Sequence, residues 1–538
     1  MEKFNETEKK ILEQYCTNLD KNVYGIVNLP EVVAGALFSR YSRSEKTARE
    51  ILLKEFILNP EMCFDEIVQQ QKNVRDQIIA TQKAEEFYNR VLIGYGDDSV
   101  AELGGARLAI EQISNIATKF IEDSRIGLSP LEKSTRYVYF DQKDSLNNYR
   151  YYRGKEIVES KVGKIYLKNC DMLFDLYSKL IKEVFQKLME IYPKSPEISQ
   201  RAYENTIKAK TCDILRGLLP ASTLTNMGVY ANGRAWEYLL TKMYASNFPE
   251  IKSLANEMYE ELIKIIPSFV KRINSEYGKK HIEYIKQKNY NLNKFVEKYK
   301  IENKSDEDVE LVYYDREAEE KIIWAILFEL GFGSIEAVNK LKEMNEEEKN
   351  ELIDKYIGNR ENRRHRPYRA FELPYYTFAI CANFGQYRDI QRHRILTQVR
   401  QPLSCEYGYD IPKELVEFGF KEEFVEAMKE SKENYEVILQ ELGKELSQYV
   451  VPMAYKIKWY MHLNLREAFH LIELRSSIQG HRDYRELVLK IYQKIKEVHP
   501  NLATKITFIN FQEVDLERLE SEKRIDEKLS KIKKENQK

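Results

Sequence analysis

LLPASTLTNMGVYANGR at residues 218–234 and VVPMAYKIKWYMHLNLR at residues 450–466 spell one pattern twice. Each opens on two aliphatic residues and a proline, reaches asparagine twelve residues after that proline, and closes on N-x-R. An aromatic follows, Trp236 four residues past Asn232 and Phe469 five past Asn464, and a long amphipathic segment then ends near Pro267 in one case and Pro500 in the other. Such a recurrence marks a duplicated domain. The intervening lengths differ, which excludes a solenoid. Two copies in one chain imitate a symmetric homodimer, so each half is placed to complete the other.

Working outward, apolar residues recur at helical spacing over 6–20, 32–57, 165–193, 252–274, 422–447 and 482–498, with charged residues opposite. Two runs have strand character, TRYVYF at 135–140 and YYTFAI at 375–380, which predicts a small sheet in each half. The expected class is α+β, predominantly helical, each half carrying a small sheet packed against long helices in a pseudo-twofold tandem duplication. The divisions read from the pattern are an N-terminal helical segment at 1–90, a first domain at 91–275, a connector at 276–350, a second domain at 351–512 and a charged helical tail at 513–538. The connector is placed where Lys, Asn and Glu replace apolar periodicity from about 276 to 320. The tail reads as a solvated helix in preference to a nucleic-acid arm.

A length of 538 residues allows at least two separate cores. With 85 basic and 86 acidic residues the net charge is -1, so the surface as a whole is no electrostatic mate for nucleic acid or membrane, and any anion site is local. Six scattered cysteines without a C-x-x-C pair fit reduced thiols in the cytoplasm and argue against structural zinc. No signal peptide and no transmembrane run is read.

The densest cluster with chemical potential is Gln391, Arg392, His393, Arg394, Thr397, Arg400 and Gln401, with Arg388 upstream. Guanidinium forks match phosphate or carboxylate, so the segment suits a nucleotide or dinucleotide; the alternative is an ordinary ion-pair surface. A second basic run, Arg363 to Arg369, precedes the strand-like YYTFAI. In the first half, Glu132, Ser134 and Arg136 fall on one side of an extended segment, which converges three polar groups on one ligand or, alternatively, makes a solvated strand face. Asn464 and Arg466 precede a helix carrying Glu473 and Arg475, where Asn464 also reads as a helix cap.

These residues resemble the flavin-dependent thymidylate synthases, whose signature is R-H-R, two residues, Ser, then E-x-S-x-R-Y. The pattern is split. The second half keeps Arg392, His393 and Arg394 but continues as TQVRQPLS; the first keeps Ser129, Glu132, Ser134, Arg136 and Tyr137 but has only Arg125 where R-H-R belongs. Gly96, Asp98, Ser99 and Glu102 resemble the family's flavin motif with its histidines replaced. Asn464, Arg466 and Arg475 match the flavin turn and the arginine that activates the pyrimidine, where the first half has Asn232, Arg234 and Met243; Arg216 matches a nucleotide-binding arginine that becomes Gln448 in the second half. The losses are complementary.

The resemblance implies reductive methylation of dUMP to dTMP, with methylenetetrahydrofolate as carbon donor, FAD as cofactor and NADPH as reductant. It implies that Arg475 stabilises the pyrimidine anion, that Arg392, Glu132, Ser134, Arg136 and Arg216 hold the nucleotide, and that Ser99, Arg392, His393, Arg394, Asn464 and Arg466 hold FAD. It also implies a homodimer mimicking the family's homotetramer, with small-molecule partners and neither membrane nor nucleic acid. Two alternatives stay open: flavin and folate chemistry on another uridine nucleotide or an RNA uracil, and a non-catalytic flavin or nucleotide sensor.

Overall fold

In the segment Lys456–Asn464 (KIKWYMHLN), Ile457, Trp459, Met461 and Leu463 alternate with polar or aromatic positions, and all four are buried. That period of two makes a strand with one face in the core. The computed structural model describes residues 4–41, 44–60, 100–299 and 307–536. Among them seven strands form: β1 (Gly105–Ser114), β2 (Leu128–Glu132), β3 (Leu224–Asn232), β4 (Val309–Tyr314), β5 (Tyr375–Asn383), β6 (Thr397–Arg400) and β7 (Lys456–Asn464). They build two sheets, ordered β1-β3-β2 and β4-β5-β7-β6. The second contains the first one's order as β5-β7-β6, with one strand added at the edge, which is the duplication seen as topology.

By internal packing the chain divides into two units, one of Met1–Ile113, Ala117–Glu132 and Thr225–Ile301, the other of Ser114–Ile116, Lys133–Leu224 and Glu302–Lys538. In the first unit Ile110, Leu128, Met227 and Val229 from the sheet pack with Trp236, Leu239 and Met258 from the helices Gly233–Tyr244 and Pro249–Ile265. In the second, β5 and β7 are antiparallel along their whole length, pairing Tyr376 with Leu463, Phe378 with Met461 and Ile380 with Trp459 on the buried face. Such apolar cross-strand pairs are the stabilising unit of a sheet.

The repeated asparagines do the same job in both copies. Asn232 and Asn464 each end a strand and accept a hydrogen bond from the backbone N–H three residues on, at 2.8 Å from Ala235 and 2.8 Å from Glu467, capping the following helix. The prolines meet directly: Pro220 and Pro452 form an isolated antiparallel bridge. Ala221 N donates to Val451 O (2.8 Å) and Met453 N to Leu219 O (3.0 Å), while Ser222 N donates to Tyr449 O (3.0 Å) and Ala454 N to Gly217 O (2.9 Å). Each bond in a pair is the twofold image of the other.

The long helices fall where periodicity put them, at Gly163–Ile191, Lys421–Leu446 and Arg482–Val498, and YYTFAI lies in β5. TRYVYF is not a strand. β2 ends at Glu132, and residues 135–137 are turn. The stretch read as connector holds the exposed helix Glu276–Val296 and β4, which pairs with β5. The tail helix Leu519–Asn536 is tied down, with Arg201 reaching Glu522 at 3.1 Å and Asp526 at 2.6 Å. Among the described residues no helix is long and apolar enough to cross a membrane.

Candidate functional site

β7 delivers the site. Capped at Asn464, the helix Leu465–Arg475 carries Glu467 and His470 on successive turns and ends on Arg475. The short helix Phe384–Ile390 contributes Arg388 and Asp389, and the turn after it contributes Arg392 and His393. Ser134 to Tyr137 and Arg216 come from the first copy's sequence, though they belong to the second packing unit. These segments wall a cavity of about 190 Å3 lined by Ser134, Thr135, Arg136, Tyr137, Arg216, Arg388, Asp389, Arg392, Arg475, Tyr484 and Arg518. Six arginines face one carboxylate.

Each guanidinium is held differently. Asp213 grips Arg136 through two parallel bonds of 2.7 Å, and Arg136 also donates to the Tyr484 hydroxyl at 3.1 Å. Arg216 donates to Asp389 at 2.9 Å and lies against Gly385, where a β-carbon would stand 3.2 Å from the guanidinium. Arg388 donates to Thr135 Oγ1 at 3.3 Å. Arg475 Nε donates to His393 Nε2 at 2.9 Å, and both Arg136 and Arg475 lie 5.5 Å from the Tyr484 ring centre. Arg518 sits 4.6 Å from the ring of Tyr137. Burial pushes the Asp389 carboxyl up, but Arg216 and Arg136 outweigh it and keep the group ionised. Asp213 falls to about 2: burial opposes the shift, and Arg136 wins. Burial lowers Arg475 from the ordinary arginine range, with Asp389 opposing.

Beneath Arg475 lies a cluster of His393, Glu467 and His470, with His393 Nδ1 2.7 Å from Glu467 Oε1 and His470 Nδ1 3.3 Å from the same oxygen. The three have the spacing of metal ligands. His393, however, engages Glu467 through one ring nitrogen and Arg475 through the other, which leaves no lone pair for an ion. Burial chiefly, with Arg475 and His470 assisting against Glu467, lowers His393 from its usual 6.5 to about 4. The unfolded chain therefore binds a proton between pH 6.5 and 4 that the native protein refuses. Stability from this residue is fully present above pH 6.5 and is lost as pH falls to about 4, by about 3 kcal/mol. Comparing urea unfolding at pH 7 and 4.5 in wild type and His393→Gln checks this: the variant is expected to show the shallower acid loss.

A larger cavity of about 290 Å3 shares Arg216, but its wall mixes signs, with Lys210 already held by Glu414 (2.9 Å) and Glu517 (3.1 Å) and Lys490 by Asp308 (2.5 Å). An anion finds less there than in the arginine cavity.

Of the residues singled out by sequence, Ser134, Arg136, Arg216, Arg392 and Arg475 come together. Glu132 is not among the residues that line the cavity: it ends β2, its buried carboxylate 3.0 Å from Lys119 and 3.4 Å from Thr118. With no strand over 132–136, the expected alternation is lost. His393 is buried and Asn464 caps its helix, so their polar atoms are turned inward. Arg466 donates to Pro367 O at 2.7 Å and pairs with Glu372 at 2.8 Å. Arg392 and Arg394 are exposed; Ser99 lies outside the described residues. Arg364, Arg366 and Arg369 are exposed and line neither cavity. Sequence reading missed Asp213, Asp389, Tyr484 and Arg518; only Asp389, inside the basic run, had a local signal.

The family model described as Thymidylate synthase complementing protein matches this chain twice, at residues 55–268 and 310–501. A protein described as UPF0159 protein in Chlamydia muridarum is 42% identical over 97% of this chain and 98% of its own length. The flavin-dependent thymidylate synthase of Sulfurisphaera tokodaii is 27% identical over 25% of this chain and 54% of that protein. Among solved structures, a UMP/dUMP methylase, PolB, from Streptomyces cacaoi, bound with 5-Br dUMP, is 18% identical, covers 39% of this chain and 98% of its own, and has a TM-score of 0.32.

Proposed function

The chain belongs to the thymidylate synthase complementing protein family as two diverged tandem copies, and on that footing we propose that it methylates a uridine nucleotide, dUMP, at C5 in a flavin-dependent reaction. The observation that carries the reading is the cavity of six arginines in which the two copies' signature residues meet. At about 190 Å3 it is smaller than the roughly 300–1,000 Å3 usual for a whole small-molecule site, so it takes the charged part of the nucleotide.

The roles follow from the chemistry of each group. Arg136, fixed by Asp213, and Arg216, fixed by Asp389, are pre-aimed cations that hold the nucleotide without reorganising. Ser134 accepts from the Arg136 backbone N–H at 3.1 Å and so has its own hydroxyl hydrogen to offer. Arg475 balances the negative charge that makes the pyrimidine C5 nucleophilic. A reduced flavin, when bound, supplies the redox and one-carbon transfer chemistry, with methylenetetrahydrofolate as donor and NADPH as reductant. The exposed Arg392 and Arg394 fit its diphosphate. His393 and Asn464, committed inward, fit it less well and serve the site from behind.

The test is reconstitution with FAD followed by turnover with dUMP, methylenetetrahydrofolate and NADPH. A yellow protein with bands near roughly 375 and 450 nm that forms dTMP is the expected result. A yellow protein that forms none shifts the reading to another uridine substrate or a sensor, and a colourless one removes the flavin.

A further inference from the structure

We infer that Glu467 is a positioning residue for the methyl transfer proposed above, acting on Arg475 through His393. The inference rests on that reading for its kinetic consequences, but its structural content stands on this chain alone.

Arg475 has one N–H on Nε and a fork of two nitrogens beyond it. Nε donates to His393 Nε2 at 2.9 Å, which fixes the roll of the guanidinium about its stem and leaves the fork for the cavity, where the Tyr484 hydroxyl is a further partner. For Nε2 to accept, it must carry no proton. A neutral imidazole keeps one proton, which then belongs on Nδ1, and Nδ1 stands 2.7 Å from Glu467 Oε1. The carboxylate thus selects the tautomer that lets His393 receive Arg475. Glu467 is itself buried and held in register by its backbone N–H on the Asn464 cap, with His470 at 3.3 and 3.4 Å from its two oxygens. The chain of contacts runs from the N-terminal turn of one helix to its last residue by way of a histidine from a different segment.

Loss of the carboxylate has a defined consequence. In Glu467→Gln the side-chain amide can turn its NH2 toward Nδ1, forcing the proton onto Nε2, where it opposes the Nε–H of Arg475. The guanidinium then loses its fixed aim. Glu467→Asp keeps an acceptor and restores part of the alignment.

Two measurements decide it. The first is the histidine tautomer by 15N–1H correlation on protein labelled with 15N-histidine, the His393 signal being identified by its loss in His393→Gln. An Nδ1–H tautomer at pH 7 is expected in wild type, and an Nε2–H tautomer overturns the relay. The second is a double-variant cycle in single-turnover dTMP formation. Glu467→Gln is expected to slow the step about 10–100-fold, with KM for dUMP changed far less and with partial recovery in Glu467→Asp. In the Arg475→Ala background it is expected to cost almost nothing more, since the group it acts on is gone. A full additional loss there means that Glu467 acts by some other route and sinks the proposal. The tautomer needs no turnover, so a wild-type protein that makes no dTMP removes the methyl-transfer reading while the spectrum still decides the relay.

Discussion

Replacing Arg475 by alanine is expected to lower the rate of dTMP formation by about two to three orders of magnitude while the protein stays folded. At an effective dielectric of about 20, a guanidinium some 4 Å from a unit negative charge contributes about 4 kcal/mol, which corresponds to roughly a thousandfold in rate. That stabilisation exists only when the pyrimidine carries its charge, so it appears in kcat more than in KM. Folding does not need it. Removing Arg475 ends its desolvation and its repulsion with Arg392, which offset the lost attraction to Asp389 and the lost hydrogen bonds to His393 and Tyr484. Single-turnover kinetics beside a thermal melt check both halves. Retention of activity within tenfold of wild type removes Arg475 from the role assigned to it, and a collapse of the melt makes it structural.

Two positions earlier on the same helix, the expected effect is reversed in kind. Glu473→Ala is expected to destabilise the protein by about 3–5 kcal/mol. Glu473 takes two bonds from Arg360, at 2.7 and 2.6 Å, and the paired side chains are 4% and 1% exposed. The Arg360 guanidinium also lies 5.2 Å from the ring centre of Phe469 and 5.1 Å from that of Phe508. Alanine leaves a buried cation without its counter-charge. The double variant Arg360→Met with Glu473→Leu removes both charges and is expected to lose far less, because no orphan remains. Urea titration of the three proteins checks the order; equal loss in single and double variants contradicts it.

The helix Leu465–Arg475 illustrates what a sequence reveals about its site. Asn464 was legible as a cap, and the family resemblance pointed to Arg475, but nothing local told the roles of Glu473 and Arg475 apart. Their difference is set by partners 113 and 82 residues away, which no local pattern carries. The duplication and the α+β class were readable because equal spacing and periodicity are local. TRYVYF misled for the opposite reason. Its aromatic content favours a strand, but Arg136 is drawn to Asp213 and Tyr484, and tertiary bonding overrode propensity. β4 was hidden in charged surroundings, since an edge strand with mixed burial needs little apolar pattern.

The bridge between Pro220 and Pro452 marks where an ancestral pair of identical chains would have met face to face. In such a pair every substitution is made twice, so neither partner can lose a residue the other still requires. Covalent fusion of the genes ends that constraint. Arg216 and Gln448 occupy matching places on either side of the bridge, one a buried cation bonded to Asp389 and the other an amide accepting from Leu403 N at 3.0 Å. Such a pair records divergence that an obligate dimer of identical chains does not permit: two halves of one chain are each free to specialise.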